Sequence, residues 1–294
     1  MNTFKARLGR TILHIILILL SAAVLLPFLL MVSVSFSNER DVVVEGYRLI
    51  PKNFDLSAYK YVFETPDVIL RAYGVTIFTT VVGTFFALLM MVMIAYPLSR
   101  RDLPGKRGIS FILFFTMLFS GGLAASYIVI SKYYGLSDNI FVYILPFAVS
   151  PWHIFMIRTF FAGVPEEMIE SALLDGAGEY RILFQMVLPI STPVLATVGL
   201  MMALGRWNDW QTAMLYITDP KLISLQYFLQ RILENLKVMQ TQMIEAGSTV
   251  DVSKIPGETA RMAMAVIAAG PMIFIFPFIQ KYFVKGLTVG SVKG

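Results

Sequence analysis

Six runs of predominantly apolar residues, at about 11–36, 71–98, 108–131, 139–160, 189–216 and 262–284, decide what this chain can become. A helix needs about 20 such residues to cross the hydrocarbon core of a bilayer, because each residue adds only about 1.5 Å of rise. Inside lipid every backbone N–H and C=O must find a partner within the protein, and for runs of this length the helix is the solution. The expected fold is all-α, a polytopic membrane protein with six transmembrane helices. An even number of crossings puts both termini on one side. Composition agrees, with 57% apolar and 15% charged residues, far from the balance of a soluble globule.

The basic residues then orient the bundle. Lys5, Arg7 and Arg10 precede the first run, Arg100, Arg101, Lys106 and Arg107 face Asp102 alone in the second loop, and Lys281, Lys285 and Lys293 close the chain without an acid. Such clusters mark cytoplasmic segments. The loops at 37–70 and 217–261 mix both signs and are expected outside. A net charge of +5 is thus a matter of topology, and with no basic stripe on one face it does not point to nucleic acid. The run from Thr11 to Phe36 is longer than the core of a secretory signal and lacks a small-residue cleavage site, so it reads as a retained anchor.

Several chemistries are excluded. There is no cysteine, hence no disulfide or thiolate metal site. His14 and His153 are far apart and neither has metal-ligand spacing. No Gly-x-x-x-x-Gly-Lys-Ser/Thr loop occurs, so this chain is not expected to bind nucleotide itself. No nucleophile, base and metal converge as a membrane enzyme would require.

Two polar islands interrupt the apolar pattern. The first is Glu170-Ser171-Ala172-Leu173-Leu174-Asp175-Gly176-Ala177-Gly178, followed by Phe184 and by Leu188-Pro189. Pro165 suits the first helical position, Glu166 and Glu167 suit the positive end of the helix dipole, and Gly176 supplies the freedom a turn needs. By the charge rule this helical elbow lies in the cytoplasm. From these residues alone it is a helical elbow on a membrane surface.

The second island is Gly205-Arg206-Trp207-Asn208-Asp209-Trp210-Gln211. It lies about 25 Å of helix beyond Pro189 and so in the outer half of the membrane. Trp rings cover the apolar faces of sugars while Arg206, Asn208 and Asp209 can hydrogen-bond hydroxyls or a carboxylate. The competing reading is an interfacial aromatic belt with Arg206 paired to Asp209. Ser120-Gly121-Gly122 should break the third span, and Pro146 and Pro151 the fourth, where neighbouring helices must satisfy the freed carbonyls. His153 reads as a packing residue or as a proton relay. Gly74 and Gly83 are expected to let helices approach closely. Leu222 to Met239 alternates as an amphipathic helix, and residues 240 to 258 read as a loop. Tyr47, Pro51, Phe54 and Tyr59 suggest a structured cap in the first outer loop.

The order Glu170-x-Ala172, Asp175-Gly176-Ala177, Leu188-Pro189 resembles the cytoplasmic signature of binding-protein-dependent ABC importer permeases, with Ser171 standing where alanine is usual. The resemblance extends along the whole chain to the carbohydrate-uptake branch, and within it to the second permease of a heterodimeric pair. It is carried by Trp207-Asn208-Asp209-Trp210 and by the ending from Gln280 to Gly294, which is similar to that of permeases for complex oligosaccharides, including fragments of acidic polysaccharides. It implies a coupling helix at about 165–177 that docks on an ATPase, an N-terminal helix and outer loop over 1–70, a permease core over 71–284 and a cytoplasmic tail over 285–294. It also implies a bacterial inner-membrane location, a second permease, two ATP-binding subunits, an extracytoplasmic solute-binding protein and a sugar substrate. ATP and Mg would sit in the partner subunits, with no cofactor in this chain. The rival expectation is a proton-coupled secondary sugar transporter working without an ATPase, which would want intramembrane carboxylates and an inverted repeat.

Overall fold

The computed structural model describes residues 3–245 and 257–289. Among the described residues fourteen α-helices follow one another: α1 (Thr3–Ser35), α2 (Glu39–Glu45), α3 (Ser57–Val62), α4 (Pro66–Ser99), α5 (Lys106–Leu118), α6 (Gly122–Ile128), α7 (Pro151–Phe161), α8 (Glu166–Leu174), α9 (Glu179–Ile182), α10 (Leu188–Ile190), α11 (Thr192–Trp207), α12 (Gln211–Tyr216), α13 (Leu225–Glu245) and α14 (Glu258–Val289). Among the described residues the only extended pairing is an isolated bridge between Ser37 and Phe54. The chain divides into two compact units that interleave in sequence, one built from Met1–Pro66 and Leu229–Pro271, the other from Asp67–Phe228 and Met272–Gly294.

Among the described residues two helices are each long and apolar enough to cross a membrane alone, Gly9–Ser35 within α1 and Pro66–Ser99. Two helix pairs are long and apolar enough only together, each a broken span or a re-entrant loop: Lys106–Leu118 and Gly122–Tyr133 meet at 114°, and Glu179–Ile190 and Thr192–Trp207 meet at 81°. The first bend falls at Ser120-Gly121-Gly122 as the sequence suggests, because Gly122 adopts φ +79° and its N–H turns back to the Ser120 hydroxyl. The run at 139–160 is not one continuous helix. It is a 3-10 turn at Ile140–Tyr143, an irregular stretch and then α7, which starts at Pro151, the position a proline can hold without losing a helical hydrogen bond. α14 covers the last apolar run, and α13 covers the expected amphipathic helix, with Leu225, Leu229 and Leu236 buried and Arg231, Glu234 and Asn235 exposed. Residues 246–256 of the expected loop and 290–294 of the tail lie outside the described residues.

The first unit shows how the outer loop becomes a cap. Phe36 stacks on Phe54 and Tyr59 with ring centroids 5.5 and 4.9 Å apart, and the Ser35 and Tyr59 hydroxyls meet at 2.8 Å. Asn38 caps α2 and donates to Asp55. The Asp55 carboxyl is held below the usual range chiefly by the Ser57 N–H it accepts. Glu39 is buried and accepts hydrogen bonds from the backbone N–H groups of Glu258 and Thr259, both at 2.9 Å, and from the Thr259 hydroxyl. It thereby satisfies the orphan donors at the start of α14 with a full negative charge. By contrast the side chains of α1 from residue 9 to 27 are all exposed, so this helix offers its apolar surface to lipid or to another chain.

The second unit has two cores. One gathers Met91 and Ala95 of α4, Ile154, Ile157 and Phe161 of α7, Ile169 and Ala172 of α8, Leu183, and Val194 and Val198 of α11. The other joins Val142 and Tyr143 to Ala213, Tyr216 and Ile223. Asp138, at φ +52°, ties two loops beside this second core by accepting the Thr218 hydroxyl and the N–H groups of Thr218 and Asp219. These donors, the Thr218 hydroxyl first, hold its carboxyl below the ordinary value. A depressed carboxylate contributes stability that is present above its unfolded value of about 3.9 and disappears as pH falls through the folded one. The protection of the Thr218 and Asp219 amides against hydrogen exchange should therefore be present at neutral pH and be lost as pH falls through that lowered value, whereas Asp138→Ala should remove it at every pH.

Candidate functional site

The elbow is built by a helix-ending motif. α8 stops at Leu174, Gly176 turns left-handed at φ +78°, its N–H bonds Leu173 O at 3.0 Å, and the N–H of Ala177 reaches back to Ala172 O at 2.9 Å. This pair of bonds closes the last carbonyls of a helix and favours glycine at the left-handed position. Ala172 and Ile169 pack into the first core, with Ala177 and Leu188 against it. Glu170, Asp175 and Pro189 are exposed, and Leu174 is 89% exposed. The elbow therefore has an anchored apolar face and an outer face carrying acids and one bare leucine. A single π turn at Leu183–Val187 precedes Pro189, whose missing N–H already interrupts the regular ladder.

Charges fasten the elbow to the end of α4. The Tyr96 hydroxyl donates to the Glu179 carboxylate, and the Arg100 guanidinium lies 3.6 Å from it. Arg101 pairs with Glu166 at 2.9 Å. The sequence reading used Arg100 and Arg101 only for topology. The missed signal was that the charge rule assigned two acids of the elbow and four basic residues to the same side.

The second polar island opens on a cavity of about 780 Å³. Arg206, Asn208, Asp209 and Trp210 line it, as do Ser120, Ser126 and His153, so the bend after α5 and the start of α7 contribute to its wall. Trp207 is not in that wall: it is buried, with its ring 6.4 Å from that of Tyr73. Successive helical residues point about 100° apart, and one step separates a wall residue from a packing one. Arg206 gives its hydrogen bonds to the carbonyls of Tyr143 and Phe147, the latter at 3.0 Å. Phe147 lies in the irregular stretch before α7, outside any helical ladder, so its carbonyl is open to a side-chain donor. Asp209 accepts Thr212 N–H at 3.0 Å and caps α12, so the expected Arg206–Asp209 pair is not the arrangement found. His153 Nδ1 meets the Ser150 hydroxyl at 2.8 Å, a partner suited to holding the ring in place. Among the described residues no group of His, Asp or Glu is placed to hold a metal ion.

Apolar helices and a polar cavity walled in part by the bend at Ser120-Gly121-Gly122 are features that a membrane transport protein of the permease class would need. No protein-family model matches the chain. It is 39% identical over 290 residues to the polygalacturonan/rhamnogalacturonan transport system permease protein YtcP of Bacillus subtilis, covering 99% of this chain and 100% of that protein. The arabinooligosaccharides transport system permease protein AraQ of the same organism is 27% identical over 97% of this chain and 96% of its own length. A solved crystal structure of a bacterial ABC transporter involved in the import of the acidic polysaccharide alginate contains a chain 28% identical to this one, with a TM-score of 0.79 over 96% of this chain and 99% of that one. The chain belongs to the permease subunits of ABC-type sugar transporters.

Proposed function

We propose that this chain is the membrane-spanning subunit of an ATP-driven importer for oligosaccharides, acidic ones among them. The single observation that carries the substrate class is the full-length match at 39% identity to a permease named for polygalacturonan and rhamnogalacturonan. In this reading the chain crosses the bacterial cell membrane six times with both termini in the cytoplasm. It shares the translocation path with a second permease and receives sugar from an extracytoplasmic solute-binding protein.

The elbow over Glu170 to Gly178 is the coupling helix. Its bare face of Glu170, Leu174 and Asp175 meets one of two ATP-binding subunits, which hold ATP and Mg. Closure of those subunits pushes the elbow, and the push enters the bundle through the packed face of Ile169 and Ala172 and through the Tyr96–Glu179 bond. The cavity then opens outward, admits sugar and returns on hydrolysis. Arg206, Asn208, Asp209 and Trp210 face the sugar in passing. Loose contact suits a carrier, since tight binding slows release.

Coexpression with the neighbouring transport genes and purification through this chain should bring down an ATPase, and vesicles containing the complex should take up oligogalacturonides only with ATP inside. Uptake that ignores ATP and collapses with the proton gradient would sink the proposal. Within an assembled complex, Asn208→Ala and Trp210→Ala should each lower uptake by about tenfold, the equivalent of about 1.4 kcal/mol. Trp207→Ala is a different experiment. It empties a buried site, costs about 3–5 kcal/mol, and should reduce assembly before it reports on sugar.

A further inference from the structure

Gly83 looks at first like a small residue that lets two helices approach. Its surroundings say otherwise. A methyl group at this position would lie 2.7 Å from Nη1 and 2.9 Å from Cζ of Arg206, so the space a side chain would fill is occupied by the guanidinium. From that seat on α4 the guanidinium reaches the carbonyls of Tyr143 and Phe147, which flank the irregular stretch between the 3-10 turn and α7. The same stretch carries Pro146, Phe147 and Ser150 into the wall of the cavity. Arg206 Nε is buried and makes no hydrogen bond, which leaves the two carbonyls as the bonds that aim the side chain.

We infer that Gly83 and Arg206 form a latch: Gly83 provides the seat, Arg206 bridges the broken fourth span, and the pair sets the form of the cavity wall. They act as positioning residues for the translocation path, and that role rests on the transport reading given above. The guanidinium joins two carbonyls four residues apart, one bond part-buried and the other exposed, and hydrogen bonds from a charged donor are stronger than neutral ones, so the irregular stretch is held less firmly without it. A residue larger than glycine at 83 leaves the backbone of α4 unchanged and pushes the guanidinium away from its acceptors.

The absence of cysteine allows a direct test on the assembled complex. Ser150→Cys places one thiol of this chain in the cavity wall, and its reaction with a charged maleimide is followed by gel, with this subunit read separately from its partners. Gly83→Ala and Arg206→Ala should each speed labelling by about tenfold, the worth of one lost hydrogen bond from a charged donor. The double variant should label no faster than the faster single one, because both changes remove the same latch. An unchanged rate in Gly83→Ala would overturn the inference. So would an additive effect, which is what a glycine serving only helix packing would give. Should Arg206→Ala fail to assemble, Arg206→Lys replaces it in the same cycle, with the same non-additivity expected. Labelling needs no sugar, so a wild-type complex that transports none would defeat the transport reading without touching the latch.

Discussion

Replacing Gly176 with leucine should cut sugar-stimulated ATP hydrolysis and uptake by the assembled complex to about a tenth or less, a loss equivalent to at least about 1.4 kcal/mol of coupling. Space is not the reason, since nothing lies within 4 Å of where a Cβ would stand. The reason is φ +78°, which costs a residue with a side chain roughly 1–2 kcal/mol and biases the turn toward a conformation that breaks the Ala177–Ala172 bond. That bond aims the exposed acids and Leu174. Asparagine tolerates the left-handed region, so Gly176→Asn should keep most of the activity and separate backbone strain from added bulk. Normal stimulation in Gly176→Leu would remove the elbow from the coupling role.

Glu39→Ala should destabilise the chain by about 2–4 kcal/mol, because it strips a buried charged acceptor from three donors at once. The α14 N-terminus would then begin with two backbone N–H groups without their acceptor, the one at Glu258 part-buried and the one at Thr259 buried. Glu39→Gln keeps one acceptor oxygen and should lose less. Unfolding midpoints of the purified complex, read by a thermal-shift dye compatible with detergent, test the order wild type above Glu39→Gln above Glu39→Ala. Equal midpoints for all three would show that water already satisfies those donors.

These two positions mark what could be read in the residues and what could not. Gly176 was legible because turn chemistry is local: an acid-rich first turn, an apolar face and a glycine at the end need no distant information. The breaks at Ser120-Gly121-Gly122 and at Pro146 and Pro151 were legible for the same reason. Glu39 was not, since its partners lie 219 and 220 residues away, and no local pattern announces a contact of that range. Trp207 and Arg206 fall between. Their cluster was visible, but which neighbour turned inward depended on the azimuth of α11, and what Arg206 bound depended on carbonyls of an irregular stretch 63 and 59 residues away. Gly83 carried the right type of residue and the wrong expected reason, because a glycine that admits a helix and one that admits a guanidinium are written with the same letter.

The arginine bridge also sets an order of events during synthesis. The carbonyls of Tyr143 and Phe147 leave the ribosome 63 and 59 residues before the guanidinium that will satisfy them, a delay of about three to twelve seconds at ordinary elongation rates. Hydrocarbon offers those oxygens nothing in the meantime. In the six-span reading proposed above, the segment waits beside the insertion machinery or in contact with water until translation has passed position 206, so ribosomes stalled shortly before it should hold this stretch more open to aqueous reagents than ribosomes stalled well after it.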